Sequence, residues 1–314
     1  MNLMTKEKPY NTLNAFYRNK FGKKVFKVSL NGGFTCPNKD GKSGYGGCIY
    51  CSESGSGDFA GNVNLSLNDQ FQQVKTMMHH KWSDGLYIAY FQANTNTYAP
   101  VDRLRLLYET ALSLDENIVG LSIGTRCDAF DEDIYDLLSE LNDKTYLQVE
   151  LGLQSIHEKT SKFINRGHSL ECFSKAVIEL RKRNIEVVVH IINGFHIETK
   201  EDMLETVRYI NKFDIQGIKI HLLHIMKNTV LGNMYLKEPF KMLTLKEYVD
   251  ITTNQIEILN PNIIIHRLTG DAPRDQLIAP FWSLKKFVVM NEIDKILRDR
   301  GSYQGIHYRI QKGS

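Results

Sequence analysis

Several features that define whole classes of protein are missing from this sequence. No stretch approaches the roughly 20 consecutive apolar residues that a membrane-spanning helix needs. Residues 1–21 are polar and basic without an apolar run, so we find no signal peptide and expect a cytoplasmic protein. The chain holds only five cysteines, an odd number that argues against a disulfide framework. Neither a low-complexity linker nor a repeat of about 20–50 residues is present.

The remaining composition allows a large core and indicates a charged partner. With 314 residues, 42% of them hydrophobic, the chain has the size of one large α/β barrel or of two ordinary domains. The net charge is only +3, but residues 1–27 carry seven Lys or Arg against one acid, and residues 267–314 carry nine against five. The middle of the chain is therefore acidic. Basic ends predict a polyanionic partner, although ordinary solvated lysines would give the same pattern.

Three of the five cysteines, Cys36, Cys48 and Cys51, lie in the segment NGGFTCPNKDGKSGYGGCIYC, separated by eleven and then two residues. The intervening Gly, Lys, Ser and Asp residues predict an irregular loop, in which left-handed glycine backbone lets three thiolates converge on one centre. A closed zinc site needs four protein ligands, whereas a four-iron cluster held by three thiolates leaves one iron open. The alternative is a zinc loop completed by Cys127 or a histidine.

Apolar strands alternate with helices of 10–15 residues along most of the chain, which predicts a parallel sheet, as an open doubly wound sheet or as a full or partial barrel. The predicted strands are Val25–Leu30, Leu86–Phe91, Ile118–Ile123, Tyr146–Leu153, Glu186–Ile192 and Gly217–Leu223, with a short strand at Ile263–Ile265. The predicted helices are Asn68–Trp82, Asp102–Leu114, Asp131–Leu141, Leu170–Asn184, Thr199–Phe213, Thr244–Leu259 and Leu284–Arg300. Residues 226–240 are predicted to form an irregular loop.

Polar side chains recur where these strands end, which in a parallel barrel is the face that carries chemistry. A single histidine on a strand is more often a hydrogen-bonded core residue than a catalyst. The recurrence of polar side chains at the ends of six strands instead predicts a functional site. In chain order its members are Cys36, Asn94, Thr95, Ser122, Arg126, Glu150, Gln154, His190, His221 and His224.

The cysteine loop resembles a known family. The segments GGFTCPNKDG (residues 32–41) and GGCIYC (residues 46–51) are similar to the cluster loop of radical S-adenosylmethionine (SAM) enzymes. Most of that superfamily spaces its cysteines CxxxCxxC, and the eleven-residue gap fits the YtqA/YhcC-type branch, which is related to the Elongator catalytic subunit. The resemblance implies a [4Fe–4S] cluster held by Cys36, Cys48 and Cys51, and SAM as the second cofactor.

The same resemblance implies an architecture. The expected fold is α/β, a partial (β/α)6 radical SAM barrel over residues 25–225. Residues 1–24 are expected to form a basic N-terminal extension. Residues 226–314 are expected to form a substrate-facing C-terminal α/β extension.

Individual SAM contacts follow from motif matches. Tyr50, just before the last cysteine, matches a residue that lies against the adenine. In VELGLQS (residues 149–155), Gln154 matches a ribose contact, and in INRGHS (residues 164–169), Arg166 matches the partner of the SAM carboxylate. Further contacts are implied at the second to fifth strand ends, at Asn94, Thr95, Ser122, Arg126, Glu150 and His190, although Gly124 and His190 replace acids that relatives often place there.

The resemblance also implies a reaction. An electron donor such as flavodoxin or ferredoxin reduces the cluster, SAM is cleaved, and a 5′-deoxyadenosyl radical removes a substrate hydrogen. His221, His224 and Cys127 are the candidates for a substrate role.

The basic ends and the kinship to Elongator favour tRNA as substrate, at the C5 side chain of the wobble uridine. Because 314 residues leave no room for the acetyltransferase domain of Elongator, we expect remodelling of a carboxymethylaminomethyl-type group. The alternatives are a small metabolite or tetrapyrrole as substrate, and a non-enzymatic zinc or iron–sulfur protein.

Overall fold

The computed structural model describes residues 2–52, 55, 59–80 and 84–309. Its centre is a seven-stranded, all-parallel sheet in the order β1-β2-β3-β4-β5-β6-β8, and β7 and β9 form a small antiparallel pair. The strands are β1 (Val25–Leu30), β2 (Leu86–Phe91), β3 (Ile118–Thr125), β4 (Tyr146–Gln154), β5 (Glu186–Asn193), β6 (Gly217–Leu222), β7 (Ile225–Met226), β8 (Ile264–Arg267) and β9 (Leu277–Ala279). The six predicted barrel strands are confirmed, and β8 from the C-terminal region adds a seventh.

Ten helices lie among the described residues, and all seven predicted ones are confirmed to within a few residues at their ends. They are α1 (Leu13–Phe21), α2 (Leu67–His79), α3 (Val101–Leu112), α4 (Glu132–Lys144), α5 (Glu158–Phe163), α6 (Leu170–Lys182), α7 (Lys200–Ile210), α8 (Val230–Lys237), α9 (Leu245–Ile258) and α10 (Lys286–Asp299). Thr199 and Thr244 begin α7 and α9 with complete capping boxes. The predicted end of α2 at Trp82 lies outside the described residues. No helix in the described part of the chain is both long and apolar enough to cross a membrane.

The sheet is apolar towards the helices and polar towards the inside of the half-barrel. Successive side chains on a strand point to opposite faces. On β4, Val149 and Leu151 join the main core, whereas Glu150 between them bonds to polar residues from other strands. The strand positions that look apolar in sequence therefore split into a helix-packed face and a polar interior.

The prediction of an irregular loop over residues 226–240 was wrong, because α8 forms there. Thr229 caps the helix: its hydroxyl accepts from the Gly232 N–H at 2.9 Å and donates to the Met226 carbonyl at 2.9 Å. Leu231 is fully buried in a second small core with Ile225. Glycine and asparagine lower helix propensity here, but capping and burial outweigh that preference.

Both ends of the chain pack on the barrel. Helix α1 buries Tyr17, whose hydroxyl donates to Gln148 Oε1 at 3.1 Å. The Asn11 N–H donates to Gln304 Oε1 at 2.9 Å, and the Asn11 carbonyl accepts from the N–H of Ile265 in β8 at 2.8 Å. These contacts place residues near each end of the described chain against the same strand.

Candidate active site

A cavity of about 690 Å³ opens at the carboxyl ends of the strands, a volume usual for a small-molecule or cofactor site. Two of the candidate catalytic residues, His221 and His224, line it. Cys127 does not, and Ser122 lies behind the lining, bonded to Lys27 and Glu150. The other eight predicted SAM-binding residues line the cavity: Tyr50, Asn94, Thr95, Arg126, Glu150, Gln154, Arg166 and His190.

Cys36, Cys48 and Cys51 all face this cavity and are free thiols. The Cys51 thiol donates to the Cys48 sulfur, and this bond, helped by the nearby Arg126 guanidinium and opposed by burial, lowers the pKa of Cys48 to about 6. A thiolate is the form of cysteine that ligates metal. The loop therefore offers soft sulfur ligands, one of them readily deprotonated.

The three sulfurs do not converge on one point. They do not all lie within 4.8 Å of one another. The ligands of one tetrahedral zinc ion, with Zn–S about 2.3 Å, are about 3.8 Å apart. Cys127, one of the two kinds of fourth ligand in the zinc alternative, instead donates its thiol to Cys172. In the described residues, the zinc alternative therefore lacks a converged set of ligands.

Asn38, which lies within the cysteine loop, anchors that loop by hydrogen bonding. Its side-chain amide donates to the Asn165 carbonyl at 2.5 Å and lies 3.7 Å from the Cys48 sulfur. Gly167 has φ +79°, and any Cβ at this position would overlap Oδ1 of Asn38. The Asn165 side chain in turn donates to the Gly47 carbonyl at 2.8 Å. The segment INRG thus supports the cysteine loop by direct hydrogen bonds.

Arg166, predicted to bind the SAM carboxylate, is 3% exposed. Its Nη1 donates to the carbonyls of Leu153 at 2.7 Å and Ser155 at 2.6 Å, while Nε and Nη2 reach the His168 carbonyl at 3.3 and 3.2 Å. The guanidinium therefore holds the chain after β4 in place while it borders the cavity. A direct bond to SAM stays a prediction.

Two strand ends carry unusual backbone at the cavity. Asn94 has φ 60° and Gln154 has φ 66°, a left-handed conformation that is uncommon for residues other than glycine. The Asn94 amide donates to the Phe34 carbonyl at 3.0 Å, and Thr95 N–H donates to the Thr35 carbonyl at 3.1 Å. Asn94 and Thr95 thus hold the approach to the cysteine loop, and their predicted SAM contacts remain predictions.

Glu150 is the centre of a buried charge cluster. Both of its oxygens are occupied: Lys27 donates at 2.6 Å, His190 at 2.7 Å, and Lys219 also donates. The hydroxyls of Tyr90 and Ser122 add bonds of 2.8 and 2.9 Å. Two lysines therefore share one carboxylate. The SAM contacts predicted for Glu150, Ser122 and His190 remain predictions.

Burial and charge shift the pKa values in this cluster. Burial alone would raise the pKa of Glu150, but Lys219, Lys27 and His190 hold it well below its usual range. Burial lowers the pKa of Lys219 to about 7, although Glu150 acts in the opposite direction. Burial and the Lys219 charge likewise lower the pKa of His190 to about 4. The imidazole is therefore neutral at pH 7, while Glu150 is ionised.

The sequence prediction missed Lys27, Tyr90 and Lys219, which line the cavity. His266 and Arg267 also line it, and both lie in the C-terminal extension over residues 226–314 that was predicted to face the substrate. The lysines left a usable signal, since each is the only charged residue of an otherwise apolar strand, VFKVSL or GIKIHL. A charge buried in a strand needs a partner, and Glu150 was the available one.

Comparison with known proteins matches this architecture. The sequence model of the Radical SAM superfamily matches residues 36–210, and the model of the Radical_SAM C-terminal domain matches residues 215–299. The chain is 51% identical over 299 residues to the uncharacterized protein YtqA of Bacillus subtilis, covering 95% of this chain and 92% of YtqA. It is 35% identical over 299 residues to protein YhcC of Escherichia coli, covering 95% of each chain.

More distant similarities extend the comparison. A tRNA uridine(34) acetyltransferase of Methanocaldococcus infernus is 27% identical over 166 residues, which cover 51% of this chain and 30% of the relative. The solved structure of Elp3 from the same organism, with residues 1–46 deleted, superposes with a TM-score of 0.66 at 18% identity. That superposition covers 89% of this chain and 64% of the Elp3 chain, so it supports the fold alone.

The fold, the three cavity-facing thiols and the sequence matches agree. The superfamily model spans more than half of the chain and begins at Cys36, the first of the three cysteines. The [4Fe–4S] cluster and SAM that this family uses suit the three cysteines and the cavity that they line. The chain therefore belongs to the radical SAM superfamily and uses these two cofactors.

Proposed function

We propose that this radical SAM enzyme modifies tRNA at the C5 side chain of the wobble uridine. The observation that carries the proposal is the similarity to tRNA uridine(34) acetyltransferase over 166 residues. The alignment covers 30% of that relative, so acetyl transfer is not part of the proposal. We infer remodelling of a side chain that is already present, of the carboxymethylaminomethyl type, by removal of a hydrogen atom from one of its carbons.

The chain's own residues prepare the site for this chemistry. Cys36, Cys48 and Cys51 would hold the cluster, whose bound and reduced form supplies the electron that cleaves SAM to a 5′-deoxyadenosyl radical. Tyr50 and Gln154 border the cavity where SAM would lie. Side chains at the strand ends enclose part of this cavity, and limited access of water protects a reactive species from side reactions. A donor such as flavodoxin or ferredoxin would provide the electron.

The segment with Phe281, Lys285 and Phe287, which we call the aromatic rim, is joined to the cavity through Lys286 and has the composition of an RNA-binding surface. Phe281 is 64% exposed and Phe287 is 75% exposed, with Lys285 exposed between them in sequence. Lys286 pairs at 3.0 Å with Asp271, a residue that lines the cavity. Exposed rings stack on splayed bases while lysines hold phosphates. This surface therefore suits a nucleotide that reaches into the cavity.

The basic N-terminal segment contributes less than its sequence suggested. Lys8 pairs with Asp294, and Lys27 is bonded to Glu150 inside the barrel. Lys23 pairs with Asp84 at 3.2 Å. Three of the seven basic residues in this segment therefore already have acidic partners within the protein.

The deciding experiment is mass spectrometry of tRNA nucleosides from cells with and without the gene. We expect the carboxymethylaminomethyl-type wobble nucleoside to accumulate when the gene is deleted. Wild-type protein should restore the profile, whereas Cys48→Ser protein should not. An unchanged wobble-uridine profile would reject the tRNA proposal in favour of a small metabolite or tetrapyrrole.

A further inference from the structure

One wall of the cavity carries buried polar atoms that nothing in the described protein satisfies. The Nε2 atoms of His221 and His224 and the Nδ1 atom of His266 are buried and make no hydrogen bond with any described residue. Buried polar side-chain atoms nearly always have a partner in folded proteins. All three residues line the cavity. This wall, which we call the β6–β8 wall, therefore has the features of a binding surface for a polar ligand.

The imidazoles of His221 and His224 are close enough to each other to act on one small group. The ring centroids of His190 and His221 are 5.3 Å apart. A methyl group on Gly270 would lie 3.3 Å from Cε1 of His224 and 3.4 Å from Nδ1 of His221, so both rings lie beside Gly270. The wall is thus compact rather than a set of scattered histidines.

The wall also carries donors that are not fully used. Lys219 donates to the Tyr90 hydroxyl at 3.1 Å and to Glu150, which leaves one of its three N–H groups uncommitted. The Arg267 guanidinium makes no hydrogen bond with a described residue. Its nearest carboxylate oxygen, on Asp271, is 3.7 Å away, which is too long for one. Arg267 lines the cavity, and the N–H groups of its guanidinium are available to a ligand.

Charge decides which kind of ligand fits. Glu150 is already shared by Lys27 and Lys219, and Asp271 is held by Lys286 at 3.0 Å. Arg267 therefore adds positive charge that no described group neutralises at hydrogen-bond distance. In the described residues, no set of three potential metal ligands meets at this wall. The excess positive charge at this wall, and the absence of a metal-ligand set among its described residues, argue against a bound metal ion and favour an anion.

We propose that the β6–β8 wall, formed by Arg267, Lys219, His221, His224 and His266, binds a carboxylate carried by the substrate. This inference rests on the proposed function, because the carboxymethylaminomethyl side chain ends in that group. A guanidinium fork meets two carboxylate oxygens at once, and the imidazole and ammonium N–H groups supply further donors. Holding the end of the side chain here would fix which of its carbons faces the bound SAM.

The first test uses anticodon stem–loop RNAs with cluster-loaded, SAM-bound protein under anaerobic conditions. One RNA carries the carboxymethylaminomethyl group at the wobble uridine, and a second carries its neutral carboxamide, so both present the same phosphates. We expect the carboxylate RNA to bind about tenfold to a hundredfold more tightly. Arg267→Gln should remove this preference. Arg274→Gln, an exposed charge of the same loop outside the cavity, is the matched control.

The second test does not depend on RNA. N-methylglycine, its amide and inorganic phosphate are added to the same protein at matched ionic strength, and the melting temperature is measured. N-methylglycine should stabilise wild type and Arg274→Gln but not Arg267→Gln. If it does so while neither RNA binds, the carboxylate site stands and the tRNA proposal fails. Equal binding of the carboxylate and amide forms in both tests, or Arg267-dependent stabilisation by phosphate alone, would overturn the carboxylate site.

Discussion

The side-chain amide of Asn38 donates to the backbone carbonyl of Asn165 at 2.5 Å and so joins the cysteine loop to the segment that follows α5. The two residues are 127 positions apart in sequence. Asn38 comes two positions after Cys36, and Asn165 itself reaches back to Gly47 next to Cys48. The sulfur ligands are therefore held by the barrel and not by the loop alone.

This connection predicts that Asn165 helps the cysteine loop to retain iron. Asn165→Ala removes bonds to the carbonyls of Tyr45 at 3.0 Å and Gly47 at 2.8 Å. Each lost bond costs about 1 kcal/mol in the closed form of the loop. We expect normal reconstitution but several-fold faster loss of iron to a chelator. Asn233→Ala, at an exposed position of α8, is the control. Identical rates of iron release from the two variants would show that the Asn165 hydrogen bonds do not help to retain iron.

The cluster assignment predicts about four irons per chain and a brown colour in anaerobic preparations. Replacing Cys36, Cys48 or Cys51 with Ser should abolish iron binding. Cys172→Ser should retain it, because this thiol lies on α6 and pairs with Cys127. Iron analysis with absorption spectroscopy checks all four variants. Stoichiometric zinc in place of iron would contradict the assignment.

Arg166→Ala should weaken both the fold and SAM binding. It leaves the buried carbonyls of Leu153 and Ser155 without their donor, and unsatisfied buried groups cost about 1–3 kcal/mol each. We therefore expect the free energy of unfolding to fall by a few kcal/mol, with weaker SAM binding measured on the protein that remains folded. Arg183→Ala, on the outer surface, controls for loss of charge. A full loss of SAM affinity at unchanged stability would mean that Arg166 acts on SAM directly.

Acid should destabilise the protein through the buried histidines of the cavity, whose pKa values burial lowers: His168, His190, His221, His224 and His266. Burial lowers the pKa of His190 and of His224 to about 4, from an ordinary 6.5. Between these values the unfolded chain binds protons that the folded chain does not, so stability is lost as the pH falls from 6.5 towards 4. At pH 5 each group accounts for about 2 kcal/mol.

Urea denaturation of wild-type protein across this pH range measures the effect. His224→Gln should reduce the slope of stability against pH, whereas the exposed His307→Gln serves as the control. A slope that His224→Gln leaves untouched would place the acid sensitivity elsewhere.

RNA binding should depend on the aromatic rim. Phe287→Ala should weaken the binding of an anticodon stem–loop by about 1–3 kcal/mol if the ring stacks on a base. Leu106→Ala removes an equally exposed apolar side chain from α3 and is the matched control. Affinity should also fall steeply with salt. Fluorescence anisotropy measures both effects, and equal affinities for the two variants would exclude this rim.

The barrel strands and the cysteine loop could be predicted because their signals are local. Apolar runs such as Tyr146–Gln154 identify strands by composition, and the spacing of three cysteines is visible in one segment. Helix α8 was missed since its stability comes from the burial of Leu231 and a Thr229 cap, which outweigh poor propensity. The balance between helix propensity, capping and burial cannot be read from the local sequence.

The cation cluster could not be predicted because it depends on contacts across the barrel. Lys27 and Lys219 lie 192 positions apart in numbering, and only the folded sheet brings both to Glu150. The prediction treated Glu150 as a SAM contact without knowing that five donors already occupy it. Likewise, Arg166 matched a motif, but its backbone partners become visible only when the turn after β4 is folded.

The bonds that join Asn11 to Gln304 and to β8 have a consequence for how the protein is made. A ribosome releases the cysteine loop early in synthesis, whereas the seventh strand and its partner Asn11 can pair only after residue 267 has emerged. Until then the nascent barrel lacks one wall, and chains of this size fold through such partly formed states. We therefore expect iron to be loaded after translation is complete, so that oxygen reaches the bare thiols for as long as synthesis lasts.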